Sequence, residues 1–205
     1  MRRPAALRTD TTKTIPTKGP TMKSHNITAT RTLDTLIANQ TSPQDLAAQP
    51  EPGVYALFLA TGGALPGIAE PGSGALYIGS SSNLAQREFD THFAAGETGF
   101  STVRRSLGAL LTDELNLNAR PRGSGTSKTN YTNYRFDDEG ERRLSGWMRE
   151  HLRVAVHAVS NPPEVEAELI AAAHPPLNLT GWPNPERAEI KRARKQCADA
   201  ARRRR

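Results

Sequence analysis

An apolar run from Gly53 to Ala60 (GVYALFLA) is too short for an ordinary helix. With its Val, Tyr and Phe it reads as a strand buried on both faces. A second run, Ala75 to Ser80 (ALYIGS), follows the Gly- and Pro-rich stretch Thr61 to Gly74, so the two predict a hairpin with a long connection. Val154, Val156 and Ala158 alternate with polar residues and predict a third strand. Elsewhere the period is helical. Asn83 to Phe93 follows a serine-rich cap. Ser101-Thr102 caps a helix carrying Val103, Leu107, Leu110 and Leu111 on one face. Asp138 and Glu141 resemble a capping box opening a helix with the stripe Leu144, Trp147, Met148 and Leu152. Pro162-Pro163 opens a helix from Glu164 to Ala173, and Pro175-Pro176 stops it.

The flanks are less regular. Residues 1–31 are rich in Thr, Lys, Pro and Arg and read as a disordered tail. Thr32 to Asn39 predicts a short helix, and Ser42-Pro43 the start of a second, ended at Pro50 to Pro52. Residues 118–133 lack apolar periodicity and read as a mobile basic loop. The fold class is therefore α+β: a small three-stranded antiparallel sheet flanked by helices, with a disordered N-terminal tail and a basic C-terminal helix or tail. The chain divides into the tail 1–31, a helical lead-in 32–49, one catalytic-sized domain 50–185 and a basic segment 186–205.

Charge changes the picture. The net charge of +6 is not spread evenly. Residues 1–31 and 186–205 carry +6 each, so residues 32–185 sum to −6. Basic tails of this kind attract polyanions without reading sequence. Only Cys197 is present, which excludes an intramolecular disulfide, and no Cys/His spacing resembles a zinc site. Met1-Arg2-Arg3-Pro4 is not followed by the apolar run of an export signal, and no apolar run spans a membrane, so a cytoplasmic protein is expected.

The candidate chemistry lies in five ordered pieces. Gly53-Val54-Tyr55 and Tyr77-Ile78-Gly79 sit on the first two strands. Tyr77 is followed ten positions later by Arg87. Glu166-Ala167-Glu168-Leu169-Ile170 lies on the last predicted helix of the domain. Pro175-Pro176-Leu177-Asn178 follows, with Asn178 twelve residues after Glu166. Each piece alone is common; the ordered set resembles the GIY-YIG nuclease family over about 125 residues. The resemblance implies the GIY-YIG fold and phosphodiester hydrolysis. Glu166 would hold a single divalent cation, Mg²⁺ or Mn²⁺, a hard ion suited to a carboxylate; Glu168 is the rival ligand. Arg87 would grip the scissile phosphate with its guanidinium fork. Tyr55 would act as general base or water-positioner and Tyr77 would orient the phosphate. An ordinary tyrosine pKa near 10 makes a poor base at neutral pH. Asn178 would orient local backbone or the site's ligands.

His92 departs from the pattern. The family often places a histidine or tyrosine four residues after the arginine; here the gap is five, which rotates the side chain by roughly a further 100° on a helix. A proton-shuttle role and a helix-end packing role both stand. The long connection between Tyr55 and Tyr77 leans toward restriction-enzyme members of the family. DNA is the expected partner, gripped through Arg104, Arg105, Arg120, Arg122, Lys128 and Arg135 around the basic loop and through the Arg202–Arg205 tail. A single site cuts one strand, so a homodimer is a possible form. The alternative function is a non-catalytic nucleic-acid-binding module that keeps the fold.

Overall fold

The computed structural model describes residues 22–47, 49–84, 92–93 and 96–203. Three strands form its centre: β1 (Gly53–Leu59), β2 (Ala75–Ser81) and β5 (Leu152–Ala158). They pair antiparallel in the order β2-β1-β5, with Tyr55 opposite Gly79 on one side and Val156 on the other. As the middle strand, β1 is buried from both directions, which is why its sequence is continuously apolar.

Side-chain alternation divides the core in two. Val54, Ala56 and Phe58 face one layer with Ile78, Ala155 and Leu36, covered by α1 (Met22–Ala38) and α5 (Pro162–Ala173) through Leu169, Ile170 and Ala173. Leu57 faces the other with Leu76, Leu152 and Val154. That layer is closed by α2 (Thr102–Leu110), α4 (Asp138–His151) and α6 (Arg187–Arg203). The α4 stripe is as the periodicity predicts: Leu144, Trp147 and Met148 are buried, as is Leu152 at its end. In α6, Ile190, Ala193, Cys197 and Ala201 recur at helical spacing and are buried, so the basic segment contributes to the core.

Neither outer edge of the sheet is left bare. Thr41 makes two backbone hydrogen bonds to Val154 of β5, each 2.9 Å. Along β2, Leu177 N–H donates to Leu76 O at 2.9 Å, and Asn178 continues the closure. Edge strands present unpaired donors and acceptors; here Thr41, after α1, supplies partners on β5, and the segment after α5 supplies them on β2.

Three elements differ from the sequence reading. The helix expected from Thr32 begins at Met22: Ala29, Thr32 and Leu36 form a buried stripe against α5, a tertiary contact that overrides the low apolar content of this stretch. Residues 1–21 lie outside the described residues. Ser42 opens only a single turn, closed by Asp45 N–H to Ser42 O. Residues 118–133 are structured. Strand β3 (Ala119–Arg120) pairs with β4 (Arg135–Phe136), and α3 (Lys128–Thr132) is held between them by a reciprocal Ser127–Asn130 cap. The aperiodic composition conceals a fold built from side-chain caps rather than an apolar stripe.

Candidate active site

The predicted chemical residues converge on four consecutive positions of β2, Tyr77 to Ser80. Tyr77 projects on the same sheet face as Leu57, its register partner. Ile78 is clamped by Asn178: its N–H donates to Asn178 Oδ1 and its carbonyl accepts from Nδ2, both at 2.8 Å. The amide thus takes the place of a neighbouring strand beside β2. Gly79 lies beneath the Tyr55 ring. A Cβ there would meet the Tyr55 phenol oxygen and ring carbon at 2.4 Å, so only glycine lets the phenol cross. Ser80 donates a short hydrogen bond to Glu166 Oε2, from the face of the sheet that α5 covers.

Tyr55, Tyr77 and His92 form an aromatic cluster, with ring centroids 5.5–6.2 Å apart. Tyr55 and His92 are buried, at 1% and 3% exposure, and Tyr77 is the half-exposed member. The Tyr55 hydroxyl lies 2.8 Å from His92 Nε2, and His92 Nδ1 lies 2.8 Å from Ser101 Oγ. The five-residue spacing from Arg87 therefore does not carry His92 away from the site; its backbone is in a π-type turn. Arg87 itself lies outside the described residues.

Ser101 has two tasks. Its Oγ caps α2 by accepting from Arg104 N–H at 3.1 Å, and it fixes the His92 ring. Sequence reasoning found the cap and missed the histidine contact. Arg104 is a larger miss. Expected on a DNA-facing surface, it is fully buried: Nη2 pairs with Glu141 Oε2 at 2.8 Å and Ser145 Oγ at 2.9 Å, Nε donates to Thr98 Oγ1, and Nη1 donates to His92 O at 3.0 Å. Burial pulls its pKa down, and Glu141 opposes that shift. Glu141 also accepts from Gly96 and Phe136 N–H, reaching over the start of a helix whose N-cap is Asp137. Arg104 is thus a support for the His92 backbone, and its assignment to DNA is corrected on burial alone.

Arg105 is corrected likewise. It is 7% exposed, with Nη1 donating to Gly99 O at 2.8 Å. Burial first, then the charges of Arg194 and Arg122, lowers its pKa to about 10. Its Nε has no hydrogen-bond partner. Of the remaining basic candidates, Arg120 and Arg135 stand opposite each other on the β3–β4 ribbon, both half-buried, and Arg135 pairs with Asp138 at 3.1 Å. Lys128 is exposed at the start of α3. Arg122 lies half-exposed over the Phe100 ring. Arg202 and Arg203 are exposed at the end of α6; Arg204 and Arg205 lie outside the described residues.

A model of the GIY-YIG catalytic domain matches residues 53–197, from the first residue of β1 into α6. The chain belongs to the GIY-YIG family. The match takes in every described element of the cluster and extends past the expected boundary at 185. Membership supports a nuclease-type function and a nucleic-acid substrate. No curated protein and no solved structure gives a significant match. Among the described residues, no helix is long and apolar enough to cross a membrane.

Proposed function

We propose that the protein is a divalent-metal-dependent DNA endonuclease, and that the Tyr55–His92–Ser101 chain moves the proton of the attacking water. The observation that carries this is the pair of 2.8 Å contacts on the two ring nitrogens of His92. With the proton on Nδ1 donated to Ser101 Oγ, Nε2 accepts from the Tyr55 hydroxyl. Tyr55 gives its proton to Nε2 and takes one from water as that water attacks phosphorus; the P–O bond to the leaving sugar oxygen breaks, that oxygen takes a proton from solvent, and the proton on Nε2 returns through Tyr55 to solvent. Between an ordinary phenol and an ordinary imidazole the transfer is uphill by about 3.5 pKa units, or roughly 5 kcal/mol. It therefore runs in concert with water attack, where the developing negative charge is spread onto the phosphate.

Glu166 is the residue that would hold the cation. Among the described residues no three His, Cys, Asp or Glu side chains converge. A single carboxylate fits a hard ion that keeps most of its waters and contacts the phosphate. Such an ion supplies charge neutralisation on the phosphate oxygens. Ser80 orients the carboxylate from the neighbouring strand position. Tyr77, at the exposed rim, orients the phosphate, and Arg87 is the expected partner of its negative charge.

For the DNA surface the ribbon is the support. Directly opposed like charges are unfavourable in an isolated β pair, and a backbone phosphate above Arg120 and Arg135 reverses the sign. Lys128 and Arg202, which line one hollow between α3 and α6 with Asp199, would add phosphate contacts. The test is nicking of supercoiled plasmid with Mg²⁺, Mn²⁺ or EDTA, using wild type, Glu166→Ala and Tyr55→Phe. Metal-dependent nicking that falls by at least about 10² in both variants is expected. Plasmid binding without nicking under any metal would replace this reading with that of a binding module.

A further inference from the structure

Phe100 is one of two large apolar side chains exposed among the described residues, and at 66% it is far more exposed than Ile37 at 38%. Single exposed apolar residues need no explanation in themselves. This one is held in place. The Arg122 guanidinium lies 4.7 Å from the ring centroid, a cation–π geometry. Arg122 Nη1 donates to Gly99 O at 3.2 Å, and Arg105 Nη1 donates to the same carbonyl at 2.8 Å. Gly99 is required for this arrangement: a Cβ there would stand 2.7 Å from Arg122 Cδ, so the arginine stem lies flat only because the side chain is absent. The Phe100 N–H is tied to Glu97 O at 2.9 Å. The ring is thus fixed at the backbone and backed by a cation on one face, which leaves its exposure to the other face and the edges.

Its position gives the second observation. Phe100 immediately precedes Ser101, whose hydroxyl contacts His92 in the candidate site. Adjacent Cα atoms are about 3.8 Å apart, so the exposed ring sits on the same short segment as the residue that fixes His92. No described carboxylate forms an ion pair with Arg105 or Arg122, so the charge behind the ring is not cancelled by a described acidic side chain.

From this we infer that Phe100, backed by Arg122, is a stacking platform for an unpaired base of the bound nucleic acid, so that the preferred substrate carries a locally unpaired strand. The inference rests on the nucleic-acid reading above. An aromatic face beside a cation is the arrangement by which proteins hold unstacked bases without reading their identity. In continuous duplex every base is already stacked on both faces, and the ring has nothing to receive.

The test is fluorescence anisotropy of the full chain in EDTA, where no cleavage occurs. Three labelled DNAs are compared: a single strand, the matching blunt duplex, and the duplex with one unpaired base. Wild type is expected to favour the single strand and the bulged duplex. Phe100→Ala should weaken those two by about tenfold and leave the blunt duplex nearly unchanged. Phe100→Trp should restore binding and gain a fluorescence signal quenched by the single strand. Thermal melting of each variant confirms folding, since the ring is exposed. Equal losses on all three DNAs, no loss on any, or no binding of the single strand by wild type would overturn the platform. So would a wild-type dimer converted to monomer by Phe100→Ala, which would place a second copy on the ring. The nicking assay is independent: nicking with an unchanged Phe100→Ala binding profile removes only the platform, and a lost preference without nicking removes only the nuclease.

Discussion

Replacing Glu141 by alanine would strip the buried Arg104 guanidinium of its counter-charge. Arg104 is 0% and Glu141 2% exposed, and the carboxylate accepts four hydrogen bonds, from Arg104, Thr98, Gly96 and Phe136. Breaking one side of a buried pair leaves an uncompensated charge in a low-dielectric setting and costs about 3–5 kcal/mol. That is a large part of a typical total stability of about 5–15 kcal/mol. For a chain of this size it lowers Tm by roughly 6–20 °C. Urea unfolding read by circular dichroism at neutral pH measures it. The double replacement Arg104→Met with Glu141→Leu removes both charges and should recover part of the loss. It should not recover nicking, because the donor to His92 O is gone. A Glu141→Ala cost under about 1 kcal/mol, or a double variant no more stable than the single, would refute the claim that this pair is a buried, mutually dependent support.

Ser101→Ala removes the contact on His92 Nδ1. It should shift the low-pH limb of the nicking profile and reduce the rate by about 10–10² while Ser101→Thr retains most of it; an unchanged pH profile would leave Ser101 as a helix cap only. Asn178→Leu orphans the N–H and carbonyl of Ile78 and should cost about 2–6 kcal/mol in urea unfolding. Burial pushes the Cys197 thiol pKa above its ordinary value, so the folded state holds that proton more tightly than the unfolded chain. Its stability contribution is complete below the ordinary thiol pKa and falls as pH rises through the raised one. As pH rises past the ordinary thiol pKa the urea midpoint should drop in wild type and drop less in Cys197→Ala.

The sheet was legible because burial leaves a mark on the sequence. A central strand has no solvent face, and GVYALFL shows it; in β5 the sequence alternates, but Ala155 is buried, Val156 half-buried and Ala158 exposed, so the pattern located the strand and not its buried positions. Tyr55, Tyr77, Glu166 and Asn178 were legible through the ordered resemblance, and the structure brings each to β2 or its neighbours. What sequence did not reveal is pairing at a distance. Arg104 and Glu141 are 37 positions apart, and taken singly they read as a DNA-facing charge and a cap residue. The one local hint was Glu141 near a helix start, and it was read as a capping residue. The fold of residues 118–133 was hidden for a related reason: Ser127 with Asn130 and Tyr131 with Gly125 O hold it by specific hydrogen bonds, which no periodicity reports.

The spacing of the second motif follows from what four successive residues of one edge strand must do. Tyr77 and Gly79 point to one face, where the first offers a phenol and the second leaves room for the Tyr55 ring; Ser80 points to the other and meets Glu166. A slip of one residue would exchange these faces: in one direction it puts Ser80 under Tyr55, in the other it puts Ile78 under Tyr55 and Gly79 at Glu166. On its inner side β2 is held by β1, but a bulge between Leu57 and Phe58 already loosens that register near one end. The two hydrogen bonds from Asn178 to Ile78 hold the strand from its outer side, in the middle of the four residues. Asn178 therefore serves the site by keeping register. Substitutions there should depress nicking more than the stability change accounts for, even though the side chain contacts only Ile78 backbone on that strand.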